Sequence, residues 1–247
     1  MERNDRLISR RGLKREVNPM PVIFVGVGKG GKTAYFKQLD DSLACSSRDP
    51  FCKKIIYVDY DPEDKTISAK ELAEKILNTA EANVQDLPKG VPVWIFLDKN
   101  ECQAVQFNRL PDLLEFRDRK YHVVWSNPSI EAWYYTHFCD PDPNLDPEKG
   151  LTRTELSNML DEMLKKNGVE DGYKEIKLCQ VLNVYGSIEK AIGHSKAAAN
   201  KSKSSDYTSC WGTSAYELAE YLLAAHKVDM AKLIDMFKEH PPAGNML

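Results

Sequence analysis

Short apolar segments alternate with amphipathic ones over residues 21–138, and this alternation leaves the chain few possible folds. The predicted strands are short and rich in β-branched or aromatic residues, and they cover 21–25, 54–58, 91–97 and 121–125. The predicted helices cover 33–43, 68–84, 105–117 and 127–138. Strands that alternate with helices build βαβ units, so the sequence predicts an α/β fold with a mostly parallel sheet.

Beyond residue 139 the alternation gives way to helices. The predicted helices there are 154–166, 173–184, 188–199, 214–226 and 230–237. An acidic, proline-rich loop is predicted at 140–150, and the polar, low-complexity run at 196–205 predicts a mobile loop. The predicted organisation is a basic N-terminal arm (1–19), an α/β core (20–139) and a helical part packed on the core (140–247).

Composition excludes several classes of protein. The net charge of −3 argues against a polybasic coat protein, although a local basic groove remains possible. A membrane span needs about 20 apolar residues, which no run approaches, so we expect no membrane contact. The 6 cysteines are scattered and the N-terminus lacks an apolar signal region, so we expect reduced thiols and a cytoplasmic location. Contacts of a homo-oligomer could form at the sheet edge or on the C-terminal helices.

Polar residues cluster directly after the predicted strands. They are Lys32, Asp59, Asp61, Asp98, Glu101 and Asn127. Because the carboxyl ends of parallel strands meet at one edge of the sheet, we expect these side chains to converge there. Carboxylate oxygens suit Mg²⁺, so the acids of this set, with Glu131, are a candidate metal cluster. Taken one by one, each acid also fits a turn or a helix cap.

Residues 26–33 (GVGKGGKT) match the phosphate-binding loop pattern GxxxxGK[ST]. Such a loop turns backbone N–H groups toward phosphates, while the lysine neutralises charge and the hydroxyl binds Mg²⁺. The candidate phosphate-binding residues are Gly28, Gly31, Lys32 and Thr33. The segment 93–98 resembles the apolar strand and acid of a Walker B element. A glycine-rich turn with exposed lysines is the simpler alternative.

Residues 126–138 (SNPSIEAWYYTHF) combine polar and aromatic side chains in a predicted helix. Asn127 is a predicted N-cap, with Pro128 at the first helical position. Burial of Glu131 beside strand ends is costly unless the carboxylate is paired or metal-bound. His137 lies on the aromatic face, where a hydrogen-bonded core histidine is the simpler interpretation than a catalyst.

The run SNPSIEAWYYTHF resembles the SNPxFExWxxxHF signature of RloB-like proteins. Those are Toprim-fold proteins of bacterial phage-defence and abortive-infection loci, often found beside an ABC-type or OLD-like ATPase. Supporting similarities are Tyr35-Phe36 in the first helix, the acidic end of 93–101, and a threonine-containing helix start at 212–222. The resemblance spans roughly residues 10–225.

The resemblance implies a Toprim-like Rossmannoid sheet flanked by helices, with a helical C-terminal extension. It implies a metal-dependent nuclease with Mg²⁺ or Mn²⁺ as cofactor, RNA or DNA as substrate, and a possible ATPase partner. The implied metal ligands are Asp98, Asn100 and Glu101. The implied catalytic residues are Asp98, Glu101 and Glu131. The implied supporting residues are Asn127 and His137.

Two positions depart from the family pattern. Val27 occupies the place of the Toprim glutamate, and Asn100 replaces the second aspartate of the DxD element. Three hypotheses therefore remain open for the function. They are a nuclease or a derived, catalytically impaired effector acting on nucleic acid, a P-loop-like ATP- or GTP-binding protein, and a non-catalytic regulatory subunit of a defence ATPase complex.

Overall fold

β-Branched and aromatic residues build the central strands, of which β1 and β3 are buried at every position. The computed structural model describes residues 22–28, 32–46, 55–61, 68–83, 91–99, 121–139, 151–169, 178–201 and 212–226. The strands are β1 (Val22–Val27), β2 (Ile55–Tyr60), β3 (Val93–Asp98), β4 (Tyr121–Asn127) and β5 (Gly212–Thr213). The helices are α1 (Lys32–Ser46), α2 (Ala69–Asn83), α3 (Glu131–Thr136), α4 (Arg153–Lys166), α5 (Leu178–Tyr185), α6 (Ile188–Lys201) and α7 (Ala215–Ala225).

The strands form one 5-stranded sheet in the order β2-β1-β3-β4-β5. β1 to β4 are parallel, and β5 adds to β4 in the antiparallel direction. From β1 the chain moves to β2 on one side and then crosses to β3 on the other. The order therefore reverses at β1, and the crevice beyond the carboxyl ends of β1 and β3 is the place where open α/β sheets bind ligands.

Alternate residues of the strands feed two separate cores, one on each face of the sheet. Phe24 and Phe96 pack on one face with Phe36 of α1, and the helices α3 to α7 extend the same cluster. Val25 and Ile95 point to the other face and pack with residues of α2. Burial on both faces explains why the central strands read as continuous apolar runs instead of alternating ones. The predicted α/β fold with a mostly parallel sheet is confirmed.

The predicted N-cap at Asn127 is wrong. Asn127 is the last residue of β4, where it pairs with Gly212 of β5, and its peptide bond to Pro128 is cis. The helix begins at Glu131, and its N-cap is Ile130. Pairing with a strand from the far end of the chain lengthens β4 past the residue at which the local pattern ends.

The predicted loop at 196–205 is wrong over its first residues. α6 continues to Lys201, so residues 196–201 are helical. The run contains three consecutive alanines, the residue with the highest helix propensity, and this outweighs its polar, low-complexity composition.

Several predicted segments lie outside the described residues. They are the basic arm 1–19, the helices 105–117 and 230–237, the loop 140–150 and most of the first half of the predicted helix 173–184. Within the residues that the structure describes, no helix has the length and apolar content that a membrane crossing would need.

Candidate functional site

Gly26 allows α1 to begin against the carboxyl ends of β1 and β2. A Cβ atom at this position would lie 3.0 Å from Thr33 Cγ2, 3.2 Å from Lys32 Cβ and 3.2 Å from Asp59 Oδ1. Contacts that short require neighbouring atoms to move, so the absence of a side chain at Gly26 permits this approach. The first glycine of the GxxxxGKT pattern thus has a packing role in β1.

Thr33 links the start of α1 to the end of β2. Its hydroxyl group donates to the Asp59 carboxylate, with distances of 2.8 Å to Oδ1 and 2.9 Å to Oδ2. Thr33 is buried, whereas Asp59 is exposed. The hydroxyl that the sequence pattern assigns to Mg²⁺ is therefore engaged by a carboxylate of the same chain.

Lys32 and Asp98 form an ion pair between the start of α1 and the end of β3. Lys32 Nζ lies 3.1 Å from Asp98 Oδ2, and the two side chains are 0% and 1% exposed. A buried charge is costly unless it is paired, so each group makes the burial of the other tolerable. The positive end of the helix dipole also disfavours a lysine in the first turn, which the aspartate offsets.

The loop between β1 and α1 is shorter than its sequence pattern predicts. Gly26 and Val27 pair with β2, and the N–H of Gly28 donates to the carbonyl oxygen of Tyr60 at 2.7 Å. Gly28 has a φ of 93°, a conformation that suits glycine. Gly31 lies outside the described residues. The N–H of Gly28 serves the sheet instead of a phosphate, which lends no support to a loop wrapped around a nucleotide.

β5 closes the sheet beside the SNP segment with a set of hydroxyl contacts. Ser126 and Thr213 share a hydrogen bond of 2.7 Å between their hydroxyl groups, and Thr213 Oγ1 lies 2.9 Å from the Trp125 carbonyl oxygen. The backbone N–H of Trp125 donates to Ser214 Oγ at 2.9 Å. The predicted supporting residue Asn127 is buried at this edge. Thr213 and Ser214 thus hold the strand that ends at Asn127.

Glu131 is buried at the start of α3 and is paired with Arg153, the first residue of α4. Arg153 Nε donates to Glu131 Oε1 at 3.0 Å, and the side chains are 38% and 2% exposed, respectively. Thr152 caps α4 with a complete capping box formed with Glu155. The backbone and hydroxyl bonds from Thr152 lower the pKa of the Glu155 carboxyl. α4 therefore begins at a defined residue, which fixes the position of Arg153.

His137 is in the core between α1 and α3. Its Nδ1 lies 3.1 Å from the Trp133 carbonyl oxygen, which accepts only, so Nδ1 carries the proton and Nε2 accepts from the Tyr35 hydroxyl at 2.8 Å. Burial lowers the pKa of His137 to about 4 and raises that of Tyr35 well above its usual range. A neutral, fully bonded ring fits the structural interpretation of this histidine.

Of the three predicted metal ligands, one lies in the described part of the chain. Asp98 lies in β3, whereas Asn100 and Glu101 lie outside the described residues. Among the described residues, no group of three or more His, Cys, Asp or Glu side chains is arranged to hold a metal ion. Of the acids predicted to converge, the structure pairs Asp98 with Lys32, Asp59 with Thr33 and Glu131 with Arg153.

Comparison with known protein families identifies the family of this chain. A family model described as "RloB-like protein" matches residues 24–222, from β1 to α7. The chain belongs to the RloB-like family. No curated protein and no solved structure matches the chain.

The RloB-like match covers the two charge pairs and Thr213. Two of these residues, Arg153 and Thr213, were not predicted as site residues from the sequence. Arg153 was missed because its partner Glu131 is 22 residues away and no local pattern links them. Thr213 was part of a segment matched to the family, but its pairing with the SNP strand has no local signal. The capping pattern T-x-x-E at 152–155 would have located the start of α4, and with it Arg153.

Proposed function

We propose that this RloB-like protein is an effector of a bacterial anti-phage defence system that acts on nucleic acid at the carboxyl edge of its sheet. The family match supports the proposal, and the observation that carries it is the buried Lys32–Asp98 pair beside the crevice of β1 and β3. This crevice is the expected ligand position in a doubly wound sheet. Acidic and basic side chains meet there, and basic side chains are common partners of nucleic-acid phosphates.

Mg²⁺ or Mn²⁺, which the resemblance implies, does not fit the described residues as they stand. A divalent ion takes several oxygen ligands. In the described part of this edge, Asp98 is paired with Lys32, Asp59 accepts from Thr33 and Glu131 is paired with Arg153. Val27, at the position of the Toprim glutamate, is buried in the apolar core and offers no oxygen. We therefore derive no catalytic step through a metal, and Mg²⁺-dependent hydrolysis stays a prediction that depends on Asn100 and Glu101.

The residues have separable roles under this proposal. Lys32 neutralises the charge of Asp98, and this ion pair links α1 to β3. The hydrogen bond from Thr33 to Asp59 links α1 to β2. These ties hold the edge of the sheet in one arrangement before a ligand arrives, which lowers the entropic cost of binding. The nucleic acid meets the edge through its phosphates, which every sequence offers, so we expect strong salt dependence and weak sequence preference.

The test combines cells and purified protein. Cells that carry the protein with its genomic neighbours are challenged with phage, and Asp98→Asn is compared with Glu162→Gln, an exposed acid on α4. We expect protection to be lost with the first variant and kept with the second. Purified protein is then incubated with RNA and DNA in Mg²⁺, Mn²⁺ or EDTA. Absence of both binding and cleavage, with equal protection by the two variants, would refute the proposal.

The nucleotide-binding alternative retains one structural argument. Lys32 and Thr33 open α1 directly after β1, and Asp98 ends the neighbouring strand, which is the relative placement that phosphate-binding loops use. Titration with ATP and GTP, followed by calorimetry and thermal unfolding, tests it. A nucleotide-dependent rise in unfolding temperature that is lost in Thr33→Val would support nucleotide binding, and no response at saturating nucleotide would exclude it.

The regulatory-subunit alternative depends on a partner. An ATPase encoded beside this protein would copurify with it, and its ATPase rate would change when this chain is added. Protection that survives Asp98→Asn but requires copurification would favour a scaffolding role over action on nucleic acid.

A further inference from the structure

We propose that the ammonium group of Lys32 takes the place of a divalent metal ion at Asp98, so that this carboxylate stays buried without Mg²⁺ or Mn²⁺. The inference goes beyond the proposed function, because it concerns the cation that the edge of the sheet contains, whichever ligand the edge binds. It also replaces the expectation that Asp98 is a metal ligand.

Asp98 ends β3 on the face of the sheet that α1 covers. Side chains alternate along a strand, so Asp98 has the same orientation as Phe96, which packs against Phe36 of α1. The aspartate side chain is 1% exposed, and a carboxylate in such a place requires a cation or several hydrogen-bond donors. Either a basic residue of the chain or a metal ion from solvent could supply the positive charge.

Lys32 supplies this charge from the first residue of α1. Its Nζ lies 3.1 Å from Asp98 Oδ2, and the lysine side chain is 0% exposed, so the two charges are enclosed together. The ammonium group is a compact point charge with three N–H donors, and the chain itself holds it there. A metal ion from solvent would have to displace the ammonium group or bind beside it.

Charge balance favours the lysine over a divalent ion at this carboxylate. One ammonium group neutralises one carboxylate, whereas a divalent ion at Asp98 would leave a net positive charge in a buried place. With Lys32 in position the excess would be larger, and like charges repel strongly where water is excluded.

The other acids of the edge do not remove this excess within the described part of the chain. Glu131 is paired with Arg153, so its charge is already compensated. Asp59 is exposed, and it ends β2, which β1 separates from β3. A divalent ion at Asp98 would therefore lack the second carboxylate that its charge requires among the described residues.

Hydration gives a separate argument. Mg²⁺ demands near-ideal octahedral geometry and gives up its waters reluctantly, so its protein sites usually keep several of them. The side chains of Lys32 and Asp98 are closed to bulk water. The ammonium group needs only hydrogen-bond acceptors in that space, and Asp98 is one of them. The closed pair thus suits a permanent cation better than an exchangeable one.

The two kinds of cation make different demands on the protein. A metal ion stabilises the folded state only at a sufficient concentration, and a chelator removes it, whereas Lys32 is present in every molecule. The wild-type protein should therefore keep its stability in EDTA. Truncation of the lysine should create the opposite situation, in which a buried carboxylate has lost its cation and has space for another beside it.

Thermal unfolding in EDTA, Mg²⁺ or Mn²⁺ at constant ionic strength tests the proposal, together with Mn²⁺ binding measured by electron paramagnetic resonance. The variants are Lys32→Ala, which opens the space, and Lys32→Ala/Asp98→Asn, which also removes the carboxylate. Lys32→Gln keeps the length of the side chain and replaces Lys32→Ala if that variant does not fold. Lys196→Ala is the matched control, because it removes an exposed lysine that is also paired with an acid, Glu220.

We expect Mn²⁺ at about 100 times its dissociation constant to raise the unfolding temperature of Lys32→Ala by about 5–10 °C relative to EDTA. The wild-type protein and Lys196→Ala should shift by less than about 1 °C. The rise should disappear in Lys32→Ala/Asp98→Asn, since an amide adds no charge that attracts the ion. Mn²⁺ binding should follow the same pattern.

A metal-dependent rise in the wild-type unfolding temperature that Asp98→Asn or Glu101→Gln abolishes would overturn the proposal, because the ion would then bind beside Lys32. A folded Lys32→Ala or Lys32→Gln that responds to neither ion would also overturn it, because the position at Asp98 would not accept a divalent ion. An equal rise in Lys196→Ala would do the same, since it would indicate non-specific binding.

These measurements involve no nucleic acid, so they separate this inference from the proposed function. If the wild-type protein binds neither RNA nor DNA, the proposed function fails, and the response of the variants to Mn²⁺ still decides the role of Lys32. If the protein binds nucleic acid but the wild type is stabilised by the metal through Asp98, the inference fails and the proposed function stands.

Discussion

Two charge pairs at one edge of the sheet each join a cation to a buried carboxylate, but the two cations differ in their exposure to solvent. In each pair, the first residue of a helix is a cation, Lys32 in α1 and Arg153 in α4, and its partner is a buried carboxylate, Asp98 or Glu131. Lys32 is sealed from solvent, whereas Arg153 is 38% exposed. The difference separates a charge pair that is closed to solvent from one whose cation is partly exposed.

The type of cation in each pair agrees with this difference in exposure. Lysine is a compact point charge, which a single carboxylate can neutralise in a closed space. Arginine offers a planar fork that can bond to more than one acceptor, which suits a half-exposed position. The same edge of the sheet thus combines two kinds of pair. Lys32–Asp98, near β1 and β3, is the closed pair, and Arg153–Glu131, near β4, is the open pair.

Removal of one charge from the closed pair should have the largest effect on stability. Lys32→Met leaves Asp98 buried without its cation, so we expect the free energy of unfolding to fall by about 3–5 kcal/mol. The double variant Lys32→Met/Asp98→Leu removes both charges and should recover most of that loss. Urea denaturation measures both.

The control for the closed pair is the exposed pair of Lys196 and Glu220, whose side chains are 43% and 45% exposed. Lys196→Met should cost less than about 1 kcal/mol. If Lys32→Met costs no more than this control, Lys32 is not a buried partner of Asp98 in solution, and the comparison between the two pairs loses its basis.

Gly26→Ala tests how tightly the closed pair is enclosed. The added methyl group would lie 3.0 Å from Thr33 Cγ2, so we expect a loss of about 1–3 kcal/mol. Thr33→Ser removes that methyl group and should recover part of the loss in the double variant. Gly193→Ala, in a helix where no atom beyond the neighbouring helix backbone lies within 4 Å of the new Cβ, should be neutral or stabilising. Equal effects of the two alanines would contradict the close approach of α1.

His137 follows α3, the helix that carries Glu131, and bonds to Tyr35 of α1, the helix that carries Lys32. Its protonation makes the stability of the protein depend on pH, so the two pairs should be compared at one pH. Its folded pKa is about 4, below the usual 6.5, so the unfolded chain binds a proton that the folded chain excludes. Its contribution is complete above the unfolded pKa and is lost as pH falls toward the folded one. Between about pH 7 and about pH 5, we expect the free energy of unfolding to fall by about 2 kcal/mol.

Stability curves at several pH values, obtained by denaturant titration, test this linkage. His137→Gln should be less stable at neutral pH and should show a smaller fall on acidification. His122→Gln, at an exposed histidine of β4, should keep the wild-type pH dependence. A wild-type dependence that persists in His137→Gln would assign the acid sensitivity to other groups.

Removal of the open pair's cation should have the smallest effect on stability. Because Arg153 is partly exposed, water can replace part of what Glu131 loses, and we expect Arg153→Gln to cost about 1 kcal/mol. Thermal unfolding measures the change. A cost as large as that of Lys32→Met would indicate that Glu131 depends fully on Arg153 for its burial, and the open pair would then be structural like the closed one.

Much of the fold followed from local patterns, whereas much of the site did not. The alternation of strands and helices predicted β1 to β4 to within a few residues, because burial on both faces produces recognisable apolar runs. β5 was not predicted, since a two-residue strand has no period of its own and exists only by pairing with β4. The same pairing extended β4 over Asn127, which local reasoning had assigned to a helix cap.

The candidate site divides in the same way. Lys32, Thr33, Asp59, Asp98 and Glu131 were all singled out by their places after strands or in motifs. Their partners were not, and the partners determine the chemistry: a hydroxyl group bound to Asp59 and a lysine buried against Asp98 describe a structured edge instead of an open metal cluster. Whether Asn100 and Glu101 complete a metal site stays a prediction.

The sequence by itself determined the α/β class, the positions of polar residues at strand ends and, through the SNPSIEAWYYTHF signature, membership of the RloB-like family. These properties depend on residue type and spacing along the chain, which are local. Only the tertiary structure decided which acid meets which base and how much of each reaches solvent. Lys32 with Asp98 and Glu131 with Arg153 are brought together from separate elements, and burial depends on all the elements that pack around a pair.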